Sequence, residues 1–284
     1  GVCWVAAGGG GGGSGGCLKL IATSNLVSDG LCAGCNLSGA TDNILLGCGA
    51  GCDLTSGDHN IIMGYKAGQD HTGASDNVFL GRYAGCFTNT NNGCAVMIGK
   101  EAGCLNVNGS ANIFIGQKAG SKSWTSGNNI LIGQCIAAAN QKNGDYTIAI
   151  GYQAIKCSCD GTYSDTSVEG SVWIGYKVGY AATEAHVNTV IRCCAGYNLT
   201  YGRANVFLGA GAGSDSTSAS SNVAIGYGAT LASPTGHNQL VIGIGNTNWI
   251  TGDSDYNIYD KDGNQLNGGG GGSGGCLKLI ATSN

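Results

Sequence analysis

An apolar triplet closed by glycine returns at almost constant spacing along this chain, and that period limits the fold more than any other feature. It is seen as NILLGCGAG at 43–51, NIIMGYKAG at 60–68, NVFLGRYAG at 77–85, AVMIGKEAG at 95–103 and NIFIGQKAG at 112–120. It continues as NILIGQCIA, TIAIGYQAI, SVWIGYKVG, NTVIRCCAG, NVFLGAGAG, NVAIGYGAT and QLVIGIGN. The anchors are Gly47, Gly64, Gly81, Gly99, Gly116, Gly133, Gly151, Gly175, Arg192, Gly209, Gly226 and Gly243, spaced by 17 or 18 residues except for 24 between Gly151 and Gly175. A fixed short period means stacked supersecondary units, none of which buries its apolar face alone. The triplets are β-branched, aliphatic or aromatic and too short for a helix, and turn formers fill the gaps. Each period therefore reads as one rung of an all-β, parallel β-solenoid (β-roll). Counting an earlier degenerate coil at Gly30, the register gives about 13 rungs.

Composition agrees with a Gly-dependent repeat: 54 glycines stand against one proline, Pro234, in 284 residues. No Gly-X-Y period supports collagen, and 42% hydrophobic against 11% charged residues argues against disorder. A net charge of −4 provides no basic field for nucleic acid, and no apolar run is long enough for a membrane helix. GGGGGSGGCLKLIATSN at 9–25 recurs letter for letter at 268–284. The sequence thus divides into a Gly-rich junction at 1–25, a repeat domain at 26–250, a terminal turn or hairpin segment at 251–267 and the duplicated junction at 268–284. CLKLIATSN is expected to supply a short strand that docks one unit onto the next. The Ala-Gly after each anchor suggests a second short strand with small inward side chains, and Arg192 marks an expected local distortion.

Alternation in each triplet turns the first and third residues one way and the middle residue the other. The middle column is nevertheless apolar throughout: Leu45, Ile62, Phe79, Met97, Phe114, Leu131, Ala149, Trp173, Val190, Phe207, Ala224 and Val241. If the flanking residues line the interior, the middle column is an exposed stripe on the order of 1,000 Å², more than a soluble monomer leaves bare. The expectation is that identical chains cover it, as an intertwined or side-by-side homotrimer. The alternative is a wide solenoid that holds the column inside itself.

The pattern N-apolar triplet-G-x-x-A-G, over roughly residues 26–258, resembles the repeats of bacteriophage tail-fibre proteins, especially those of marine phages. It is also similar, with a longer period, to the β-roll heads of trimeric autotransporter adhesins. GIGNTNWITGDSDYNI at 243–258 resembles the stretch that closes such arrays. The resemblance implies a trimeric, elongated fibre on a virion or outside the cell, structural and not enzymatic, with attachment to a host-surface glycan or receptor as a second role. The duplicated cassette supports another reading, a self-assembling extracellular filament joined end to end.

Fifteen cysteines accompany the repeat. Cys35, Cys52, Cys86 and Cys104 each fall five residues after an anchor, so Cys35/Cys52 and Cys86/Cys104 stand in adjacent rungs. Stacked rungs are about 4.8 Å apart, within reach of a disulfide, although interchain bridges or a thiol ladder fit the same spacing. The seven extra residues before Gly175 form an expected bulge that presents Cys157, Cys159, Tyr163 and Asp165 as a receptor loop. Asp260, Asp262 and Asn264 copy the start of a Ca²⁺ loop, but Gln265 and Gly271 occupy the positions of its glycine and bidentate glutamate, so a β-turn between Tyr259 and Leu266 is the better reading. His59, His71, His186 and His237 read as surface turn residues. NGCAVMIGKEAG at 92–103 mimics a phosphate loop, but five residues separate its first glycine from Gly99-Lys100 and Glu101 replaces the hydroxyl residue. The cysteines do not form paired C-x₂-C knuckles with spaced histidines, so neither structural zinc nor a cofactor is expected.

Overall fold

A computed structural model describes residues 3–4, 18–21, 25–28, 32–89, 93–136, 144–155 and 168–266. Its strands are β1 (Cys3–Trp4), β2 (Leu18–Ile21), β3 (Asn25–Ser28), β4 (Ile44–Leu46), β5 (Ile61–Met63), β6 (Val78–Leu80), β7 (Val96–Ile98), β8 (Ile113–Ile115) and β9 (Ile130–Ile132). They continue as β10 (Ile148–Ile150), β11 (Val172–Ile174), β12 (Thr189–Ile191), β13 (Val206–Leu208), β14 (Val223–Ile225), β15 (Leu240–Ile244), β16 (Thr247–Gly252) and β17 (Ile258–Asp260). Every triplet is a strand, and each pairs in parallel with the triplet one period later, as in Ile113↔Ile130, Phe114↔Leu131 and Ile115↔Ile132. The chain is a parallel β-solenoid.

The solenoid makes about eleven turns, β4 to β14, instead of thirteen. Both ends depart from the parallel stack. At one end β2 folds back antiparallel on β3, and at the other β15, β16 and β17 form an antiparallel meander. The first copy of LKLI thus docks on its own chain, while the copy at 276–284 lies outside the described residues. The pairing Ile148↔Val172 keeps β10 and β11 in register across the longer period.

The middle column is the core of a single chain. Leu45, Ile62, Phe79, Met97, Phe114, Leu131, Trp173, Val190 and Phe207 are fully buried, and Val241 is 2% exposed. This corrects their assignment to an inter-subunit stripe: the flanking residues, not these, face outward. Burying each larger member contributes about 1.5–3 kcal/mol without help from a second chain. Opposite them, Ala67, Ala84, Ala102, Ala119 and their equivalents form a buried column of small residues.

The Ala-Gly segment is a turn, not the expected second strand. Two successive departures to positive φ, Glu101 at 59° and Gly103 at 56° in one rung, break any extended run. The rungs remain joined there by backbone hydrogen bonds such as Gly68 N–H to the Ala84 carbonyl at 2.9 Å. At Gly103 the glycine is also a packing requirement, because a Cβ would lie 2.3 Å from Met97 Sδ. Arg192 is distorted as expected, but only locally. Its φ of 98° contrasts with 126–144° at the positive-φ glycine anchors, and its N–H still reaches the Ile174 carbonyl at 2.7 Å.

A buried asparagine ladder runs beside the sheet. Asn43, Asn60 and Asn77 each precede a triplet, and each side-chain oxygen accepts the backbone N–H one rung on. Asn205 shows the full pattern. Its Oδ1 accepts the Asn222 N–H at 3.0 Å, and its Nδ2 donates to the Ala219 carbonyl at 2.8 Å and to Asn188 Oδ1 at 2.9 Å. Asn205→Ala would leave the Asn222 N–H and the Ala219 carbonyl unpaired in the interior, at a cost of about 2–4 kcal/mol. Urea unfolding should show this as a lower midpoint with an unchanged slope.

His71 is buried instead of lying on a surface turn. It stands seven residues after its anchor, in the inward column that also holds Leu54 and Leu199. Nε2 lies 2.9 Å from the Ala74 carbonyl and 3.3 Å from Asn77 Nδ2, Nδ1 lies 3.0 Å from Thr88 Oγ1, and the ring meets Phe79 edge-on. Burial pushes its pKa down to about 4, against a smaller opposing effect of the Ala74 carbonyl. As pH falls from about 6.5 toward 4, the unfolded chain therefore takes up a proton that the folded chain refuses, and stability is lost over that window. His71→Gln is expected to flatten the decline of thermal midpoint between pH 7 and pH 4, as differential scanning calorimetry would show.

Candidate functional site

The first and third residues of each triplet point away from the core and form the outer face of the parallel sheet. Across β4 to β15 there are 24 such positions, and all but Thr189 are aliphatic or methionine. Each is partly exposed, with Met63 the most open at 38%. Ile113 and Ile115 flank buried Phe114, and Ile130 and Ile132 flank buried Leu131. Rungs stacked at about 4.8 Å, each three residues or about 10 Å across, make an apolar band roughly 50 Å long, on the order of 500 Å². Near Arg192 the band opens into a groove of about 590 Å³ lined by Ile191, Leu208, Ile225 and Tyr227.

One edge of the band carries the ladder of residues that follow the anchors. Tyr65 and Tyr83 meet edge-on with centroids 5.5 Å apart, and Lys66 and Arg82 lie over those rings at 5.7 and 5.2 Å. Lys100 and Lys118 approach Glu101 at 3.5 and 3.7 Å, and Gln134 donates to Gln117 at 3.1 Å. Farther along, Tyr152 stacks on Tyr176 and Tyr180 on Tyr197. Lys100 is thus a rung of a surface ladder and Met97 a core residue, so the apparent phosphate loop has no cradle.

The rung spacing brings the paired cysteines together as free thiols. Cys35 and Cys52 have sulfurs within 4.8 Å of each other, and Cys32, which sequence spacing had not singled out, joins them. Its signal was the Cys32-Ala33-Gly34-Cys35 spacing beside a Cys one period later. Cys86 and Cys104 share a thiol hydrogen bond. That bond favours a thiolate at Cys86 and, with burial, holds Cys104 protonated.

The other sequence-level sites divide clearly. Cys157, Cys159, Tyr163 and Asp165 lie outside the described residues. Asp260 spends its carboxylate on a turn, accepting the backbone N–H groups of Asp262 and Asn264 at 2.9 and 2.8 Å and Asn264 Nδ2 at 2.9 Å. These bonds, that from the Asn264 side chain foremost, hold its carboxyl below the usual range. Asp262 turns to Lys261 at 2.6 Å, and the Gly263 N–H closes on the Asp260 carbonyl at 3.1 Å, so these residues build a turn between Tyr259 and Leu266. Asp253 repeats the device, accepting from the Asp255 and Asn257 N–H groups and from the Tyr259 hydroxyl.

No family model matches the chain, and no curated protein or solved structure matches it either.

Proposed function

We propose that the chain is a structural subunit of a fibre, a phage tail-fibre or adhesin shaft, whose solenoids pack their outer faces together about a common axis. The carrying observation is the continuous apolar band of β4 to β15, since 23 of its 24 outward positions lack a polar side chain. An exposed apolar area on the order of 500 Å² stands toward the upper end of the largest patches that monomers present, where such patches commonly mark interaction sites, and a standard interface takes about 800 Å² from each partner. Further copies of the chain are the occupant that fits best. Their bands share one length and one rung spacing, so equivalent rungs meet along the whole rod. Three chains follow the resemblance to tail fibres and trimeric adhesin heads. The role is mechanical, in the extracellular space or on a virion, and the Tyr-Lys-Arg ladder at the band's edge suits contact with host glycans.

A second reading, a filament joined end to end, is supported by the strand that LKLI forms on β3 together with its repetition at 277–280. Negative-stain microscopy of the purified chain separates the two. Discrete rods with a solenoid section roughly 55 Å long, at about 4.8 Å per rung, are expected for the shaft. Long continuous threads would favour the filament, and particles one solenoid wide would overturn side-by-side packing.

A further inference from the structure

Cys32, Cys35 and Cys52 converge at the first turns of the solenoid, and we propose that they form a three-thiolate site for a soft, thiophilic cation of the Zn²⁺, Cd²⁺ and Cu⁺ class. The three sulfurs all lie within 4.8 Å of one another. Sulfurs sharing one ion through bonds of about 2.3 Å stand about 3.8–4.0 Å apart, so closing on a metal requires each to move by about 1 Å or less. A disulfide at about 2.05 Å would draw two of them much closer and leave the third unused.

The backbone prepares this convergence. Cys35 and Cys52 occupy the same position in adjacent rungs, locked by Gly34 N–H to the Ala50 carbonyl at 3.0 Å and Asn36 N–H to the Cys52 carbonyl at 3.2 Å. Cys32 adopts a left-handed φ of 60° at the start of the turn that leads to Cys35. Asn36 Nδ2 donates to Asp53 Oδ1 at 3.0 Å and ties the two turns side to side. Cys32 and Cys35 are exposed and Cys52 half-buried, so an ion can enter from solvent and keep a water as a further ligand. Sulfur donors select soft cations over Mg²⁺ or Ca²⁺.

Without metal, ionisation of Cys35 and of Cys52 is disfavoured. The hydrogen bond from Cys32, with burial and the neighbouring sulfurs, pushes Cys35 up to about 11, and burial raises Cys52. A bound cation offsets that penalty. Each thiol loses its proton as its S–metal bond forms, up to three protons pass to solvent, and no electron is transferred; affinity therefore strengthens with rising pH.

The test is an anaerobic Cd²⁺ titration of the fully reduced chain, following thiolate-to-cadmium charge-transfer absorbance and the metal retained after dialysis. Cys32→Ser, Cys35→Ser and Cys52→Ser should each weaken one tight equivalent at least tenfold, while Cys86→Ser leaves it intact. The thermal midpoint supplies a second readout: Cd²⁺ should raise it in the wild type and in Cys86→Ser but not in the three cluster variants. Wild-type affinity in Cys32→Ser would overturn the site. Equal weakening in all four variants would also overturn it, because the metal would then be spread over unrelated thiols.

Discussion

Gly116→Ala should destabilise the solenoid by about 2–4 kcal/mol, among the largest effects open to a single methyl group here. The anchor φ is 127°, and a Cβ would stand 2.3 Å from the carbonyl oxygen of Gly133, the anchor of the next rung. Two costs combine, a backbone conformation that L-residues avoid and a collision with backbone that no rotamer relieves. Gly245→Ala separates them, since Gly245 has φ +58° with nothing within 4 Å of the added Cβ. That control should cost only about 1 kcal/mol. Arg192 shows how the chain accepts a side chain at an anchor, by turning φ to 98°, and Arg192→Gly should raise stability by about 1 kcal/mol. Chemical denaturation of the four proteins measures the series. A Gly116→Ala variant as stable as the wild type would show that anchors do not need glycine.

The second large effect concerns assembly and leaves the rung intact. Ile115→Glu with Ile132→Glu places two charges on adjacent outward positions of β8 and β9, where both side chains are already partly exposed. Folding stability should change by about 1 kcal/mol or less, whereas packing two uncompensated carboxylates into a dry interface is prohibitive. Sedimentation velocity should therefore show a single-chain species with an unfolding midpoint near that of the wild type. A change one residue inward, Phe114→Glu, should instead prevent folding, because Phe114 is wholly buried. If the double variant sediments like the wild type, the outer band is not the interface.

The period makes the strands and their parallel register legible in the sequence itself. It fixed which residues stack, as Phe114 over Leu131 shows, because a recurring triplet has only one self-consistent alignment. It did not fix which side of the triplet faces in. Both faces are apolar, and hydrophobic alternation carries no sign when polar residues are missing from each. The deciding residue was the asparagine before the triplet. Asn43 precedes Leu45 by two positions and shares its side of the strand, and an amide repeated along that side satisfies backbone groups that water cannot reach. The Ala-Gly segment is ambiguous in sequence for a related reason: small inward side chains are common to a strand and to a tight turn, and only positive φ distinguishes them. The burial of His71 is not legible in sequence because its inward column is chemically mixed, holding Leu54, Thr88 and Asn106 at equivalent positions. The third thiol of the cysteine cluster sits in a different column from the other two, so stacking arithmetic alone passed over it.

Native mass spectrometry of the reduced wild-type chain bears most directly on the central claim, that the outer bands are buried against one another. A dominant species of three times 28.3 kDa is predicted, persisting on dilution and lost in the Ile115→Glu/Ile132→Glu variant. A stable species of 28.3 kDa at every concentration would contradict it, leaving the apolar band of β4 to β15 exposed on a solitary rod.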